Sequence, residues 1–259
     1  YHLSVHIADV AHYVQPGTAL DREARKRSNS TYFPGYCVPM LPHKLSENLC
    51  SLKPNTNRLA ISVIMTFNKN GDLTDYRIAR SIIRSQRRFT YAEVTKILAG
   101  ETKCKYAPKL HLMAKLCGLL KNKRAQRGCI EFALPEERIM LNSKGVPTSI
   151  EFLEYDISHQ LVEEFMIKAN EVIATHLSSL GKDLAYRIHD KPNDFDAFAQ
   201  KASTFGYKVS SPPTSEELQY IFDDARQHAH GGYLAVAFIK SMKLACYSQT
   251  NIGHYGLSL

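Results

Sequence analysis

The sequence predicts an α+β fold, in which helices and β-strands occupy separate parts of the chain. Strand-like and helix-like segments do not alternate regularly, which argues against a doubly wound parallel sheet. Arg58–Phe67 is β-rich, an Asn-Gly turn follows at 69–72, and Thr74–Arg84 returns as its antiparallel partner. The second half of the chain carries mostly helical periodicity.

The remaining elements follow from alternation, helical spacing and capping residues. Thr18 and Thr90 each precede a helical segment and are predicted to be N-caps. In chain order we predict a strand at 3–7, a helix at 18–28, a short helix near 45–50, the hairpin at 58–84, helices at 90–98 and 108–127, a turn between strands at 142–147, a long helix at 157–179, a short strand at 184–189, and helices near 194–205, 214–229 and 232–242.

Composition sets broad bounds. The chain has 259 residues, of which 44% are hydrophobic and 22% charged, so it can bury a sizeable core as one large domain or two. It holds no apolar run long enough to span a membrane. Six dispersed cysteines without a CxxC pair indicate reduced thiols and a cytoplasmic protein. Because the chain begins at Tyr1 without a methionine, we expect it to be a piece of a longer protein.

The charge balance favours a polyanionic partner. The net charge is +8, and basic residues form two clusters, at 77–88 and at 115–127. The clusters comprise Arg77, Arg80, Arg84, Arg87 and Arg88 in the first, and Lys115, Lys121, Lys123, Arg124 and Arg127 in the second. Such clusters either lie on solvated surfaces or contact the phosphates of a ligand. Because few acidic residues are interleaved with the basic ones, contact with phosphates is favoured.

The segment TYFPGYCVPMLPHKLSENLCSLKP, residues 31–54, combines four prolines with three aromatic residues close together. Proline fixes φ and removes an N–H donor, so this stretch cannot form a long helix or a central strand. Two interpretations remain open. The segment is either a loop that covers the core or a rigid platform for a flat ring such as a nucleobase.

The long helix at 157–179 has an apolar stripe and a polar border. At 100° per residue, the predicted core stripe comprises Val162, Phe165, Met166, Ala169, Ile173 and Leu177. Glu163 lies at the edge of this stripe together with His159 and Asn170, whereas Glu164 is predicted to face solvent. The row of His, Glu and Asn is either the ordinary border of an amphipathic helix or a functional row that faces a cleft.

Several long motifs carry a resemblance to a known family. They are HLSVHIADV at 2–10 with the segment that follows to residue 60, RGCIEF at 127–132, LVEEFMIKAN at 161–170, YRIHDKP at 186–192 and SMKLACYSQTNIGHYGLSL at 241–259. In this order they resemble the RNase II/RNase R family of RNB-domain exoribonucleases, and the bacterial RNase R type more than the eukaryotic exosome relatives. The resemblance covers essentially the whole chain.

The resemblance implies both a fold and an activity. The fold is an RNB-type α+β domain, with mixed or antiparallel sheets and long helices around an RNA channel. The activity is processive hydrolysis of single-stranded RNA from its 3′ end to nucleoside 5′-monophosphates, with Mg²⁺ as cofactor. We expect a monomer that binds single-stranded RNA and no membrane. A non-catalytic module that binds single-stranded RNA is the alternative.

The resemblance also implies site residues. Tyr32 in TYFPG matches the family's stacking tyrosine, and Phe132 matches the opposing clamp for the terminal bases. Glu163 matches the glutamate that contacts the terminal nucleotide, and we expect it to be catalytic as well as substrate-binding. Asn170 and Arg187 are further candidates for substrate binding. Phe33 and Tyr36 lack a match and are interpreted as core residues.

Other parts of the family's site are expected outside this chain. The metal-binding aspartates D-x5-D-x-D-D lie upstream of the HIADV strand in the family, and the catalytic arginine lies just beyond GLSL. We therefore treat residues 1–259 as the central part of an RNB domain, truncated at both ends and without cold-shock or S1 OB-fold domains, and we predict no metal ligands within it. Alone, it is expected to be inactive.

Three further polar groups admit two interpretations each. Asp9 ends a strand and is a cap acceptor or an acid that supports the site. His228 and His230 resemble a metal pair superficially, but surface positions explain them better because no third ligand is in register. Arg187 and His189 are two residues apart on a predicted strand, so both face the same side of it. Either they line a channel or they form hydrogen bonds in the core.

Overall fold

A computed structural model of the chain describes residues 1–130, 136–153, 155–210 and 213–259. The described strands are β1 (His2–Ala8), β2 (Thr31–Phe33), β3 (Tyr36–Val38), β4 (Asn57–Phe67), β5 (Leu73–Arg84), β6 (Glu136–Leu141), β7 (Pro147–Leu153), β8 (Tyr186–Ile188) and β9 (Cys246–Ser248). The described helices are α1 (Val10–Tyr13), α2 (Ala19–Arg27), α3 (Tyr91–Leu98), α4 (Ala107–Gln126), α5 (Ile157–Ser179), α6 (Phe195–Ser203), α7 (Ser215–Ala225) and α8 (Gly231–Ser241). A π-helical turn at Lys44–Leu49 and a 3-10 turn at Tyr255–Leu257 complete the described elements.

The predicted α+β class is confirmed. Paired strands are antiparallel throughout the named ladders, and the helices are separate from them in sequence. The chain divides into two compact units, the first formed by Tyr1–Leu116 and Glu136–Ile173, the second by Cys117–Pro135 and Ala174–Leu259. No helix among the described residues is long and apolar enough to cross a bilayer.

The first unit is built on a three-stranded sheet in the order β1-β4-β5. The central strand β4 is buried on both sides, with Ala60 and Ser62 on one side and Val63, Met65 and Phe67 on the other. Its neighbours are edge strands among the described ones, since β1 and β5 pair with β4 alone. Two separate hairpins, β2–β3 and β6–β7, belong to the same unit.

The second unit has a small aromatic core made by α6, α7 and α8. Phe198, Phe222 and Phe238 are almost fully buried, and the ring of Phe238 meets each of the other two with centroids 5.2 Å apart in edge-to-face geometry. This arrangement suits the quadrupole of aromatic rings and adds to the free energy gained by burying them. The β8–β9 ladder pairs Arg187 with Tyr247 in the same unit.

The predicted caps form as expected. The Thr18 hydroxyl accepts a hydrogen bond from the N–H of Asp21 at the start of α2. Thr90 forms a full capping box with Glu93 at the start of α3, and Thr214 does the same with Glu217 at the start of α7. Such caps satisfy N–H groups that have no partner inside the helix, and each contributes about 1 kcal/mol.

Candidate nucleic-acid interface

The proline-rich segment begins with a short hairpin that presents aromatic rings to solvent. Tyr32 on β2 lies opposite Cys37, and Phe33 lies opposite Tyr36 across a Pro34-Gly35 turn. Gly35 has φ +71°, and a Cβ atom there would lie 3.0 Å from Leu141 Cδ1. The turn therefore suits glycine for two reasons, a left-handed backbone and a close approach to β6.

All three aromatic side chains of this hairpin are exposed, Tyr32 at 78%, Phe33 at 56% and Tyr36 at 63%. The interpretation of Phe33 and Tyr36 as core residues is therefore wrong. Among the described strands, β2 pairs only with β3, so the hairpin is a separate two-stranded sheet. The exposed rings do not fit a loop that packs them onto the core, and the role of this hairpin as a platform for a flat ring stays a prediction.

Helix α5 carries Glu163 and Asn170 on one side. Glu163 is partly buried and Asn170 is exposed, and His159, one turn before Glu163, is partly buried too. Seven residues separate Glu163 from Asn170, which places them on the same side two turns apart. The polar row is therefore accessible, as a site that contacts a ligand requires.

The predicted core stripe of α5 is confirmed for Phe165 and Ala169 but is shifted around the helix relative to the observed one. The buried residues are Ser158, Leu161, Glu164, Phe165, Ala169 and Val172. Glu164 is only 3% exposed, whereas Val162 and Met166 are 52% and 49% exposed. The helix has apolar residues around more than half of its circumference, so spacing alone does not determine which edge of that broad stripe packs inward.

The two adjacent glutamates are now expected to differ in stability. Replacing buried Glu164 with Ala removes its contacts within the fold and is expected to lower the free energy of unfolding by about 1–3 kcal/mol. Glu163→Ala is the matched control at a partly exposed position and is expected to change it by less than about 0.5 kcal/mol. Urea unfolding followed by circular dichroism measures both. Equal losses from the two variants would contradict the burial described here.

Asp156 holds the first turn of α5. Its Oδ1 atom accepts hydrogen bonds from the N–H of Ser158 at 3.0 Å, from Ser158 Oγ at 2.6 Å and from His159 Nδ1 at 2.8 Å. Its Oδ2 atom accepts one from Thr95 Oγ1 of α3. Partial burial acts to raise the pKa of Asp156, but the hydrogen bonds from Ser158, Thr95 and His159 outweigh it and hold the pKa far below its ordinary value.

This cap also fixes the imidazole of His159. A carboxylate only accepts, so Nδ1 carries the proton that is shared with Asp156. The Tyr91 ring stacks on the imidazole with centroids 3.9 Å apart, which restricts rotation of the histidine. The start of α5 is thus anchored to α3 four residues before Glu163, so the backbone that carries the polar row is firmly placed.

In the second unit, Arg187 and His189 of the β8 region have different surroundings. Arg187 is exposed, and its guanidinium lies 5.3 Å from the centroid of the Tyr247 ring. His189 Nε2 donates to the Lys243 carbonyl at 2.9 Å, and its Nδ1 accepts from the N–H of Gly256 at 3.2 Å. His189 therefore fits the core interpretation, while Arg187 remains available to a ligand.

The first basic cluster is partly committed to ion pairs. Asp9 caps α1 by accepting from the N–H of His12 at 3.2 Å, which confirms its interpretation as a cap. The same buried carboxylate accepts from Arg80 Nε at 2.9 Å and Nη2 at 2.7 Å. Arg87 contacts Glu93 at 3.4 Å and lies over the Phe89 ring. Arg77 and Arg84 are exposed on β5 and remain candidates for phosphate contacts.

Comparison with known proteins decides the family. The RNB domain family matches residues 1–259. The chain belongs to the RNB family. This RNB domain is 48% identical over 263 residues to Ribonuclease R of Chlamydia pneumoniae, with 100% of the chain and 39% of that protein covered.

Solved structures agree with this placement. RNase R of Mycoplasma genitalium in complex with ribose-methylated single-stranded RNA matches this RNB domain with a TM-score of 0.92 and 27% sequence identity. The match covers 99% of the present chain and 42% of the RNase R chain. RNase R of the same organism in complex with double-stranded RNA gives a TM-score of 0.92 and 27% sequence identity. That match covers 99% of the present chain and 47% of the RNase R chain. The chain thus spans less than half the length of these relatives.

The second basic cluster of the RNB domain contains a buried member. Arg124 is 8% exposed, and its Nη1 atom lies 3.2 Å from Cys129 Sγ. Leu116, Cys117 and Leu120 are buried on the preceding turns, so Arg124 continues an apolar stripe at helical spacing. The interpretation of this residue as part of a phosphate-binding cluster is therefore wrong, although Lys115 and Arg127 are exposed.

The described residues of the RNB domain do not form a divalent metal site. Among the described residues, no group of three or more His, Cys, Asp or Glu side chains is placed to hold a metal ion. His228 and His230 stack as rings, with centroids 5.3 Å apart, rather than converging on one point. Mg²⁺ in the family's chemistry would need carboxylate oxygens at octahedral distances, which this part of the chain lacks.

The candidate residues of the RNB domain fall into three groups. Tyr32, Glu163 and Asn170 belong to the first unit, Tyr32 on a hairpin and the other two on α5. Arg187 belongs to the second unit. Phe132 lies outside the described residues.

The sequence prediction missed the pair of Asp156 and His159, although an Asp directly before a segment with helical apolar periodicity is a signal for a helix N-cap.

Proposed function

We propose that residues 1–259 are the central part of the RNB domain of a longer 3′-to-5′ exoribonuclease, which hydrolyses single-stranded RNA processively to nucleoside 5′-monophosphates. Family membership and the likeness to ribonuclease R support the class of activity. The observation that carries the proposal is the exposed Tyr32, which stands on a proline-framed hairpin at the position that matches the family's stacking tyrosine.

The chemistry of the site residues suits such a substrate. An exposed tyrosine stacks on any base, because every base has a π-face, so it suits an enzyme that digests RNA without regard to sequence. Phe132 is proposed as the second ring of this clamp. Glu163 and Asn170 supply an acceptor and an amide to the sugar of the terminal nucleotide, and Arg187 supplies a cation to a phosphate.

The cofactor and setting are part of the same proposal. We propose that Mg²⁺ is required, with ligands outside the described residues, since those residues hold no suitable cluster. When bound, Mg²⁺ would activate water and stabilise the leaving oxygen. We also propose a cytoplasmic monomer. All six cysteines lie in the described residues and none forms a disulfide, which supports a reducing compartment.

Replacing Tyr32 tests the clamp. In the longer protein, Tyr32→Ala is expected to remove about 1–3 kcal/mol of base stacking. Because phosphate contacts along the strand remain, we expect longer end products more than lost affinity. The measurement is the length of the final products from a 5′-labelled single-stranded RNA, resolved on a denaturing gel.

Two variants serve as controls for this experiment. Tyr32→Phe keeps the ring and is expected to give wild-type products. Tyr36→Ala removes a neighbouring exposed ring from the same hairpin and is expected to change product length less. If Tyr32→Ala gives the same product length and turnover as the wild type, Tyr32 does not act by stacking on the terminal bases.

A second candidate function is a non-catalytic module that binds single-stranded RNA. The absence of a metal-binding cluster from the described residues favours it for the chain as given. The sequence that precedes HIADV in the longer protein separates the two candidates. A D-x5-D-x-D-D run there means an enzyme, and its loss means a binding protein.

A further inference from the structure

The second unit contains an open cavity of about 620 Å³ beside α7. Its walls come from the turn that follows α6, from one side of α7, and from the turn before α8. The cavity is rich in rings, which belong to Phe205, Tyr207, Tyr220, His228 and His230. Its volume lies in the usual range for small-molecule sites, about 300–1,000 Å³.

Three of these rings form a parallel stack. The His230 imidazole stacks on Phe205, with a centroid distance of 4.5 Å and an angle of 13°, and on His228, with a centroid distance of 5.3 Å and an angle of 9°. The His228 side chain is about half exposed, so the stack ends at an accessible face. A flat ring that enters the cavity can extend such a stack at little conformational cost, because the rings are already aligned.

A hydrogen-bond network holds the inner wall. Tyr207 Oη donates to Asp224 Oδ2 at 2.6 Å and lies 3.2 Å from His230 Nε2. The hydrogen bond to Asp224, together with burial, raises the pKa of Tyr207 to about 12, so its phenol stays protonated. Gly206, with φ +87°, provides the turn after α6 that brings Tyr207 to this wall.

Helix α7 adds a second ring and a carboxylate on the same side. Tyr220 and Asp224 are one turn apart, and Tyr220 is 69% exposed at the cavity wall. Lys208 lies at the wall too and supplies a positive charge. The cavity therefore combines flat apolar surfaces, a hydrogen-bond acceptor for amino groups and a cation.

We propose that this cavity binds a single nucleobase, with Tyr220 and His228 as its stacking surfaces, Asp224 as the acceptor for base N–H groups and Lys208 as a partner for the attached phosphate. The base comes either from a free mononucleotide or from an RNA strand. The residues that line the cavity do not include Tyr32 or Phe132, and the proposal does not depend on hydrolysis of RNA.

A metal ion is a poor alternative occupant. The histidine rings are parallel, and no three His, Cys, Asp or Glu side chains among the described residues converge on one point. Asp224 already accepts from Tyr207, and such an arrangement favours a ligand that donates to the remaining acceptor positions. Adenine is the natural first probe, because it has an exocyclic amino group and a large stacking surface.

The test is a titration of the 259-residue chain with AMP, followed by NMR signals of the histidine side chains. We expect AMP to shift the His228 and His230 signals in a saturable way. Tyr220→Ala is expected to weaken AMP binding about fivefold or more, since base stacking on one ring contributes at least that factor. Tyr220→Phe is expected to bind AMP like the wild type.

Matched controls separate this cavity from other sites. Tyr76→Ala removes an exposed tyrosine from strand β5 of the other unit and is expected to leave AMP binding unchanged. Ribose 5-phosphate has no base and is expected not to bind. Because Tyr220 is exposed, the thermal unfolding of Tyr220→Ala is expected to match the wild type, which shows that the variant is folded.

The outcomes are decisive in either direction. Saturable shifts of the His228 and His230 signals, with an affinity for AMP that Tyr220→Ala lowers, support the base pocket. A parallel titration with a single-stranded RNA oligonucleotide shows whether the pocket binds a free mononucleotide or a base within RNA. Absence of shifts with both AMP and the oligonucleotide overturns the proposal. Binding that is equal for ribose 5-phosphate, or that Tyr220→Ala weakens no more than Tyr76→Ala does, overturns it as well.

Discussion

The 259-residue chain is expected to bind single-stranded RNA without cutting it. Hydrolysis assisted by Mg²⁺ needs oxygen ligands that fix the ion relative to the phosphate. The described residues contain no cluster of His, Cys, Asp or Glu that can do so, and Glu163 alone does not position an ion. The exposed rings of the β2–β3 hairpin and the exposed arginines of β5 nevertheless remain available to RNA.

The experiment compares cleavage with binding in the same sample. The purified chain is incubated with end-labelled single-stranded RNA and Mg²⁺, beside the longer protein as a positive control. We expect uncut RNA with the chain, and binding by fluorescence anisotropy that weakens as salt rises, because phosphate contacts release counterions. A ladder of shorter products that forms at a rate close to that of the longer protein would show that the catalytic groups lie within these residues.

Asp156→Ala is expected to cause the largest loss of stability among the variants considered. The substitution removes the cap of α5 together with the acceptor for Ser158, Thr95 and His159. Loss of an N-cap costs up to about 2 kcal/mol, and partners left without an acceptor add to that cost, so we expect about 2–3 kcal/mol. The measurement is the free energy of unfolding in urea at neutral pH.

The same residue gives stability a defined dependence on pH. The pKa of Asp156 in the folded protein lies below the ordinary value of 3.8. The unfolded state therefore binds the proton more readily, and the stabilisation is fully present above that ordinary value. It is lost progressively as the pH falls below 3.8 toward the folded pKa. Wild-type stability is thus expected to fall in this acidic range.

Two variants, Asp156→Asn and Asp190→Ala, serve as controls for the stability measurements on Asp156→Ala. Asp156→Asn keeps a good cap but removes the charge, so it is expected to lose less stability than Asp156→Ala and to show a weaker decline in acid. Asp190→Ala removes an exposed carboxylate that pairs with Lys243 and is expected to change stability much less than Asp156→Ala does, because solvent screens the pair. Equal pH dependence in the wild type and in Asp156→Asn would show that Asp156 does not carry this effect.

Local signals in the sequence predicted most elements well. Thr18, Thr90 and the Asn-Gly turn act within a few residues, so their helices and hairpin form where the pattern indicates. The bounds of α5 are as predicted for the same reason. The hairpin β2–β3 was not predicted as strands, because Pro34 in its turn and Pro39 directly after β3 conceal two short segments of β structure.

The errors concern which side of an element is buried, and that depends on distant parts of the chain. Glu164 is buried because the inward edge of α5 is set by its neighbours, which spacing within one helix does not reveal. Arg124 is buried for a reason that the sequence does contain, since it follows Leu120 and Leu116 at four-residue intervals. The roles of Tyr32, Glu163, Asn170 and Arg187 stay predictions.

Strand β5 has a consequence for the behaviour of the chain at high concentration. Among the described strands it pairs only with β4, so one of its edges presents twelve residues of backbone that a second molecule could extend. Ile82 is exposed at 69%, but it stands between Arg80 and Arg84 on the same side of the strand. Like charges brought together by edge-to-edge pairing repel one another. Because Asp9 balances the charge of Arg80, we expect exposed Arg84 to contribute most of this repulsion, which disfavours intermolecular association at β5.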